Sequence, residues 1–341
     1  MLTTVITICL AASNCASFNQ AALAYGHWIK ADQRARARVI AHYQPTTILA
    51  VGDMMLGRYV ETLMKAYGTN YPFAQIDEFL QGHDITFANL EGPIPEHHQP
   101  TPNNVLRFSF PPGTATVIQQ HHFSAVSLAN NHGLDHAQIG YEATRTSLQQ
   151  AGVITLGHPT AITEPTTIGN TTWVAFCPFC AGFSGDEAVT KIAQVVANQP
   201  DQFIVVTVHW GTEYQLQSNT IQQNLAHRLI DAGADVVLGH HPHVVQEVEV
   251  YNNRAIFYSL GNFIFDQYFS TDTQQGLAVT VTLNQQQVVY TLHPLISERS
   301  QPRLMTAAEA DTWLTDLASR SPAADISNGK IILMIDRRSK K

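Results

Sequence analysis

Six short apolar segments, each ending in polar side chains, constrain the fold more than any other feature of the sequence. They read TTILAVGD, DITFANLEG, FSAVSLANNHG, FIVVTVHWG, DVVLGHHPHVV and AIFYSLGNFIFD. Runs rich in β-branched residues that end in Gly, Asn or Asp are typical of buried strands followed by loops. Segments with helical apolar spacing lie between them, at 72–80, 137–151, 186–198 and 220–232. Gly152 and Gly233 follow two of these as predicted C-caps. The alternation predicts an α/β fold, in which ligands bind where strands end.

The side chains at these strand ends are of types that bind metal ions, although each also has an ordinary structural explanation. Asp53 could cap a helix, Glu91 could be a loop charge beside Gly-Pro, and His132 could be a hydrogen-bonded structural residue. His209 is harder to explain in that way. It ends a strand that should be buried, where a polar side chain costs free energy unless it is paired. The convergence of several such strand ends predicts one metal-sized pocket.

The segment His240-His241-Pro242-His243 is the sharpest local signal. In an extended segment His241 and His243 point the same way, and His240 points oppositely in a supporting position. Imidazole suits Zn²⁺, Mn²⁺ or Fe, and carboxylates suit Mn²⁺ or Mg²⁺. The mixed set therefore predicts a hydrolytic centre with one or two divalent ions, Mn, Zn, Fe or Mg. The 16 His against 19 Lys and Arg agree with this, and the net charge of −8 gives no reason to expect nucleic acid as a partner.

Two cysteines, Cys177 and Cys180, follow the predicted strand 172–176. Such a C-x-x-C pair can be redox-active, half of a zinc site or a local disulfide. No second pair exists to complete a zinc site, so we expect two small buried thiols outside the metal pocket. A disulfide is the alternative if the protein is exported.

The two ends of the chain carry less information. Residues 1–44 begin with an apolar run, lack an early basic residue and continue into a helical lead-in. We expect an export signal or weak anchor, hence an exported or membrane-associated location in the cell envelope. An ordinary helical extension on a cytoplasmic protein is the alternative. The main domain is expected over 45–300, followed by an extension over 301–341 with a helix at 307–319 and a strand at 330–335.

Six motifs in order resemble the CapA family of poly-γ-glutamate capsule synthesis proteins, which are related to the calcineurin-like metallophosphoesterases. The motifs are VGDMMLGR, ANLEG, SLANNHGLD, VHWGTEY, GADVVLGHHPHVVQ and YSLGNFIFDQ, within about 46–300. The resemblance implies a four-layer αββα metallophosphatase-like sandwich, with two mixed sheets flanked by helices. It also implies an anionic polymer or a phosphate or carboxylate substrate, and membrane-bound capsule synthesis partners.

The resemblance further implies a role for individual residues. It assigns the metal to Asp53, Glu91, Asn131, His209, His241 and His243. In it, His132 contacts the leaving group, Arg58 is a candidate to hold a substrate anion, and Ser259 and Asn262 shape the pocket. Two positions depart from the family pattern. Met55 stands where classical metallophosphatases have a metal-binding His, which puts a second ion in doubt, and Asp135-His136-Ala137 replaces Asp-x-Gly.

Three functions remain open from the sequence. The first is a metal-dependent envelope enzyme, of hydrolase or transferase type, that is linked to capsule polymer synthesis or export. The second is a non-catalytic, metal-binding accessory protein of capsule polymer assembly, which the substitution at Met55 keeps open. The third is a general metallophosphoesterase, which follows from analogy of fold alone.

Overall fold

The computed structural model describes residues 46–102, 105–180 and 185–334. The predicted signal or anchor and helical lead-in at residues 1–44 lie outside the described residues. Among the residues that are described, no helix is both long and apolar enough to cross a membrane.

The first sheet has nine strands in the described part of the chain, and it is mixed. Its strands are β1 (Thr46–Met54), β2 (Ile85–Leu90), β3 (Ala125–Ser127), β4 (Ile154–Leu156), β11 (Asn262–Ile264), β12 (Gln275–Leu283), β13 (Gln287–Glu298), β14 (Gln301–Leu304) and β15 (Lys330–Met334). They run in the order β14-β13-β12-β1-β2-β3-β4, with β11 beside β1 and β15 beside β13. Strands β1 to β4 are parallel, so their carboxyl ends lie along one edge. The last predicted strand of the chain is thus part of this sheet.

The second sheet has six strands, again counted over the described residues. They are β5 (Thr166–Ile168), β6 (Thr171–Phe176), β7 (Phe203–His209), β8 (Val236–His240), β9 (Val248–Tyr251) and β10 (Arg254–Phe257). The order is β5-β6-β7-β8-β10-β9, and the four central strands are parallel. Strands β7 and β8 therefore end side by side, with His209 opposite His240.

Helices cover the outer faces of both sheets. The described residues hold α1 (Arg58–Tyr67), α2 (Asp77–Leu80), α3 (Thr114–Gln120), α4 (Ala137–Gln150), α5 (Gly185–Asn198), α6 (Thr220–Asp231), α7 (Thr271–Gln274) and α8 (Ala307–Arg320). Successive side chains of β1 face different layers of the sandwich. Ile48 and Ala50 pack between the sheets with Trp173, whereas Leu49 and Val51 pack against the outer helices. The αββα sandwich implied by the sequence is confirmed.

Most predicted helices agree with the structure to within about one residue, and one is wrong. The segment 72–80 is a short 3-10 helix, Tyr71–Phe73, followed by the separate helix α2. The break comes at Ile76, whose φ of −128° is not helical. The predicted glycines do end their helices, one residue after the C-caps: Gly152 follows Ala151 of α4 and Gly233 follows Ala232 of α6, with φ of 82° and 109°.

Gly52 allows strands β1 and β11 to meet next to Asp53. A Cβ at position 52 would lie 1.9 Å from the carbonyl oxygen of Gly261, which is far inside contact distance. That same Gly261 carbonyl accepts the backbone N–H of Asp53 at 2.9 Å. Because Gly52 has no side chain, the two backbones can approach closely enough to form this hydrogen bond, which holds the Asp53 backbone in place.

We expect Gly52→Ala to lower the free energy of unfolding by about 3 kcal/mol, because two backbones must separate to admit the methyl group. Gly152→Ala is the matched control. Its added Cβ meets nothing within 4 Å, so only the positive φ is strained, at about 1 kcal/mol. Urea denaturation of both variants measures the difference. Equal losses of stability in the two variants would show that the β1–β11 contact is not the constraint.

Candidate metal centre

The ends of strands from both sheets meet at the site. In the first sheet Asp53 of β1 is in register with Asn89 of β2 and with Asn262 of β11. In the second sheet β7 and β8 end at His209 and His240. The two sheets thus bring carboxylates and amides from one side, and imidazoles from the other, to a common edge.

Three groups of side chains among the described residues have ligand atoms close enough to share a metal ion. The atoms of each group lie within 4.8 Å of one another: Glu91, His209 and His241; Asp53, Glu91 and His243; Glu213, His241 and His243. Asn131 joins them, since its Oδ1 lies 2.7 Å from His209 Nε2. The six residues predicted to bind metal therefore lie together in space. Their roles as ligands remain predictions.

Asp53 is fully buried and well paired. Its Oδ1 accepts from Asn89 Nδ2 at 2.8 Å, and its Oδ2 accepts from the backbone N–H of His241 at 3.2 Å. Burial alone would raise the pKa of Asp53. Hydrogen bonds and charge from His240 and His243 outweigh it, and they hold the pKa well below its ordinary value. Asp53 is therefore a carboxylate over the physiological pH range.

Glu91 is equally buried, yet neither of its carboxyl oxygens has a hydrogen-bond partner. Burial, opposed by the charge of His243 and assisted by that of Asp53, raises the pKa of Glu91 well above its ordinary value. A buried unpaired carboxyl group is expensive unless a cation compensates it. His241 Nδ1 is also buried without a partner. The unpaired oxygens and nitrogen, in ligand groups of His and carboxylate, fit a divalent cation.

The histidines differ in their charge states. Burial first, and then the charge of His241, lowers the pKa of His209 well below its usual value. Burial and the charge of His243 lower the pKa of His241 to about 4. Both are therefore neutral near pH 7, as metal ligation requires. Against the effect of burial, Glu91 and Asp53 raise the pKa of His243 to about 9. The negative charge that favours a proton on His243 is the charge that would attract a metal ion.

The backbone around His241 and His243 is not extended, so the expected reason for their proximity is wrong. Strand β8 ends at His240, and His241 and His243 have φ of 100° and 59°. Two left-handed residues in a tight turn, and not the alternation of a strand, bring the rings to 5.8 Å between centroids. Non-glycine residues in this region are strained, and such strain is concentrated at functional sites.

His132 lies at the edge of the metal group and is held from two sides. Its Nδ1 lies 2.8 Å from Asp135 Oδ2, and its ring stacks on Phe108 with centroids 3.9 Å apart. Its Nε2 points toward Glu91, with 3.9 Å to Oε1. Because a carboxylate can only accept, Nδ1 is the donor in the contact with Asp135. The same contact orients the ring, and it leaves Nε2 facing the pocket.

Arg58 lies beside the pocket in an ion pair with Asp266. Both Arg58 Nε and Nη2 donate to that carboxylate, which also accepts the backbone N–H of Tyr59 at 3.1 Å. The guanidinium carbon lies 5.0 Å from the centroid of the Phe108 ring. The structure therefore places the residue predicted to hold an anion next to the site, but already charge-paired.

Several residues of the site were not predicted. Asn130 donates to Asn89 Oδ1 at 3.1 Å and accepts the backbone N–H of His132, which ties the strand ends together. Asp266 and Glu213 lie within motifs quoted above, and that position was the signal that could have identified them. Met55 faces away: its sulfur accepts from the N–H of Gly57 at 3.1 Å within the helix-side core. Position 55 therefore contributes no ligand atom.

Cys177 and Cys180 are joined in a disulfide, so the expectation of two free thiols is wrong. The bridge closes a four-residue turn directly after β6, and its Cα atoms lie 5.4 Å apart. Neither cysteine belongs to a ligand group. Phe179, between them, projects over the pocket with its ring centroid 4.7 Å from that of His241.

Comparison with known proteins identifies the family. The family described as Bacterial capsule synthesis protein PGA_cap matches residues 47–175 and 181–267, well over half of the chain. The chain belongs to this family. Capsule biosynthesis protein CapA of Bacillus anthracis is 29% identical over 77% of this chain and 70% of its own length. PGA biosynthesis protein CapA of Bacillus subtilis (strain 168) is 29% identical over 67% of this chain and 65% of its own length.

Two further similarities are weaker. A protein of Mycobacterium tuberculosis named "Probable polyglutamine synthesis accessory protein" is 26% identical over 80% of this chain and 90% of its own length. The crystal structure of TT1561 of Thermus thermophilus aligns with 71% of this chain and 99% of that chain, at 12% identity and a TM-score of 0.40. A likeness at that level adds nothing to the fold described above.

We expect the double variant Cys177→Ser/Cys180→Ser to keep the metal content of the wild-type protein, because no sulfur lies in a ligand group. Loss of the disulfide should lower the free energy of unfolding by about 2 kcal/mol for so short a loop. Metal analysis after dialysis and urea denaturation measure the two quantities, with Glu91→Gln as the variant that should lose metal. Metal loss in the cysteine variant equal to that in Glu91→Gln would place the sulfurs in the site.

Proposed function

We propose that this chain is a metal-dependent hydrolase or transferase of the cell envelope that acts on an anionic capsule polymer, poly-γ-glutamate. The observation that carries the proposal is the buried carboxyl group of Glu91, neither oxygen of which accepts a hydrogen bond. It lies within ligand distance of His209 and His241 on one side, and of Asp53 and His243 on the other. A folded protein tolerates such a group where a cation completes it.

The proposed metal ligands are Asp53, Glu91, Asn131, His209, His241 and His243, with Glu91 common to two of the groups. Because Glu91 belongs to two of the groups, the set would suit either one ion or two. When bound, such an ion supplies Lewis-acid polarisation of a carbonyl or phosphoryl group and neutralises developing negative charge. Asn89 and Asn130 would hold the ligands in place through the amide hydrogen bonds described above.

His132 is proposed to move the proton. Its Nε2 faces the pocket, and the contact between Nδ1 and Asp135 Oδ2, at 2.8 Å, holds the ring in that orientation. The stacked Phe108 ring fixes the plane of the imidazole. His132 would therefore donate a proton from Nε2 to the leaving group. Arg58, paired with Asp266, would orient the substrate anion at the same side of the pocket.

The substrate class follows from the family and from the names of its members. The two Bacillus relatives are named for the biosynthesis of capsule and of PGA. A γ-linked glutamate polymer has amide carbonyls to polarise and a carboxylate on every residue, and so it suits a cationic centre. Partners in the membrane-bound capsule synthesis machinery are proposed on the same basis.

The proposed location in the envelope has its own support. The Cys177–Cys180 disulfide is expected in a compartment that is oxidising, as outside the cytoplasmic membrane. The apolar start of the sequence agrees with export.

A second function, that of a non-catalytic accessory protein that binds polymer through its metal, is favoured by one observation. Position 55 would have to supply a further metal ligand for the full metallophosphatase set, but Met55 packs in the core instead. The relative from Mycobacterium tuberculosis has the word accessory in its name.

We expect His132→Ala to reduce turnover of a γ-glutamyl oligomer by about 10²–10⁴-fold, the usual contribution of a general acid, with metal content unchanged. His241→Ala should instead lose metal and activity together. Release of new amino groups measures turnover, and metal analysis of the same samples measures content. A phosphomonoester, assayed in parallel, tests the general phosphoesterase alternative.

Two outcomes would contradict the proposal. If His132→Ala loses its metal, the residue is a ligand and the proton donor is a different group. If the wild-type protein hydrolyses neither substrate with any divalent ion, while metal removal weakens polymer binding, the accessory function is the correct one.

A further inference from the structure

Three large aromatic side chains at the mouth of the site are exposed. Phe179, Tyr214 and Phe269 have 47%, 41% and 66% of their surface accessible to solvent. Phe179 lies over His241, and Tyr214 lies 6.2 Å from His243 between ring centroids. Because the rings of His241 and His243 are neighbours, the two aromatic residues flank the histidine pair from opposite ends.

Both flanking rings are held in place. The disulfide closes the turn around Phe179, which leaves that backbone little freedom. Tyr214 has a left-handed φ of 63°, its backbone N–H donates to the carbonyl of Pro242, and its hydroxyl accepts from Gln267. Phe269 packs edge-on against Tyr214, with ring centroids 5.1 Å apart. Exposed apolar rings that are fixed at the entrance to a polar pocket are suited to bind the apolar part of a ligand.

We propose that Phe179 is a specificity-determining residue that binds the methylene groups of the substrate next to its reacting carbonyl. The inference rests on the proposed function and extends it to the substrate class. A γ-linked glutamyl chain has two methylene groups between successive amides, whereas a small phosphomonoester has no such segment. Phe179 would favour the chain, with Tyr214 as the facing wall, and the disulfide would position Phe179.

The buried residues of the pocket and the exposed aromatic residues at its mouth, here called the rim, therefore have separate roles. The buried carboxylates and histidines act on the polar reacting group, and they lie behind the rim. The rim contacts only what extends from that group into solvent. A change at Phe179 should consequently alter KM for an extended substrate and leave kcat and metal content unchanged.

The test compares Phe179→Ala, Phe179→Tyr and the wild-type protein on a γ-glutamyl oligomer and on a small phosphomonoester, which lacks the methylene segment. We expect Phe179→Ala to raise KM for the oligomer about tenfold, the effect of losing one aromatic contact, with kcat within about twofold. KM for the small substrate should not change, and Phe179→Tyr should restore the wild-type KM. Ile332→Ala, an exposed side chain on the edge strand β15, is the matched control for loss of surface area.

The positioning role of the disulfide is tested in the same assay. Cys177→Ser/Cys180→Ser should have a KM for the oligomer between that of the wild type and that of Phe179→Ala. Its metal content should equal that of the wild type. Dithiothreitol, which is oxidised to its cyclic disulfide as it reduces the bridge to two thiols, should produce the same rise in the wild-type protein and none in the serine variant.

The failures of the two proposals can be told apart. If the wild-type protein hydrolyses the oligomer and Phe179→Ala leaves KM unchanged, the inference about Phe179 is wrong and the proposed function stands. If the wild-type protein binds the oligomer without hydrolysing it, calorimetric Kd values replace KM, and an unchanged Kd for Phe179→Ala overturns the inference. If the metal-loaded protein neither binds nor hydrolyses the oligomer, both proposals fail.

Discussion

Two carboxylates, Asp53 and Glu91, are buried side by side at the point where the sheets meet, and the surrounding structure depends on how their charge is compensated. Asp53 is compensated within the chain by His240, His243 and the amide of Asn89. Glu91 accepts no hydrogen bond at either oxygen, and His243 Nε2 lies 3.6 Å from its Oε1. Burial of a carboxyl group without hydrogen bonds costs free energy, and the raised pKa of Glu91 reflects how strongly burial disfavours its charged form, so a cation that offset this cost would stabilise the fold. A divalent cation is the simplest group that does so.

The sandwich architecture explains why these groups can meet. The first sheet supplies Asp53 and Glu91 from strands that run in parallel, and the second sheet supplies His209 and the His241–His243 turn. Close packing at Gly52 and Gly239, where a Cβ would lie within 2.0 Å of a carbonyl oxygen, fixes how near the strand ends approach. The rigid core therefore sets the ligand positions, while the loops beyond it set what reaches them. The exposed rings of Phe179 and Tyr214 belong to that second, outer part.

The sequence was sufficient for the buried strands that end at the site, because apolar runs followed by polar residues are local signals. The four layers and the proposed ligands came from the family resemblance, and the roles of those ligands remain predictions. The sequence was not sufficient for the geometry. His241 and His243 meet through left-handed backbone, which no pattern of apolar residues indicates. The pairing of Arg58 with Asp266 joins residues 208 positions apart, and the amide chain through Asn130 depends on how three strands align. The disulfide depends on the turn that follows β6, and spacing alone left it as one of several alternatives.

The central claim is that a divalent cation compensates the buried charge of Glu91, and the stability of the protein tests it directly. Metal-stripped protein would be denatured with urea alone and with Mn²⁺, Zn²⁺, Fe²⁺ or Mg²⁺ at about a hundredfold the dissociation constant. At least one ion should raise the free energy of unfolding by about 2.7 kcal/mol, and Glu91→Gln should lose most of that gain. An unfolding free energy that none of the four ions changes would contradict the account.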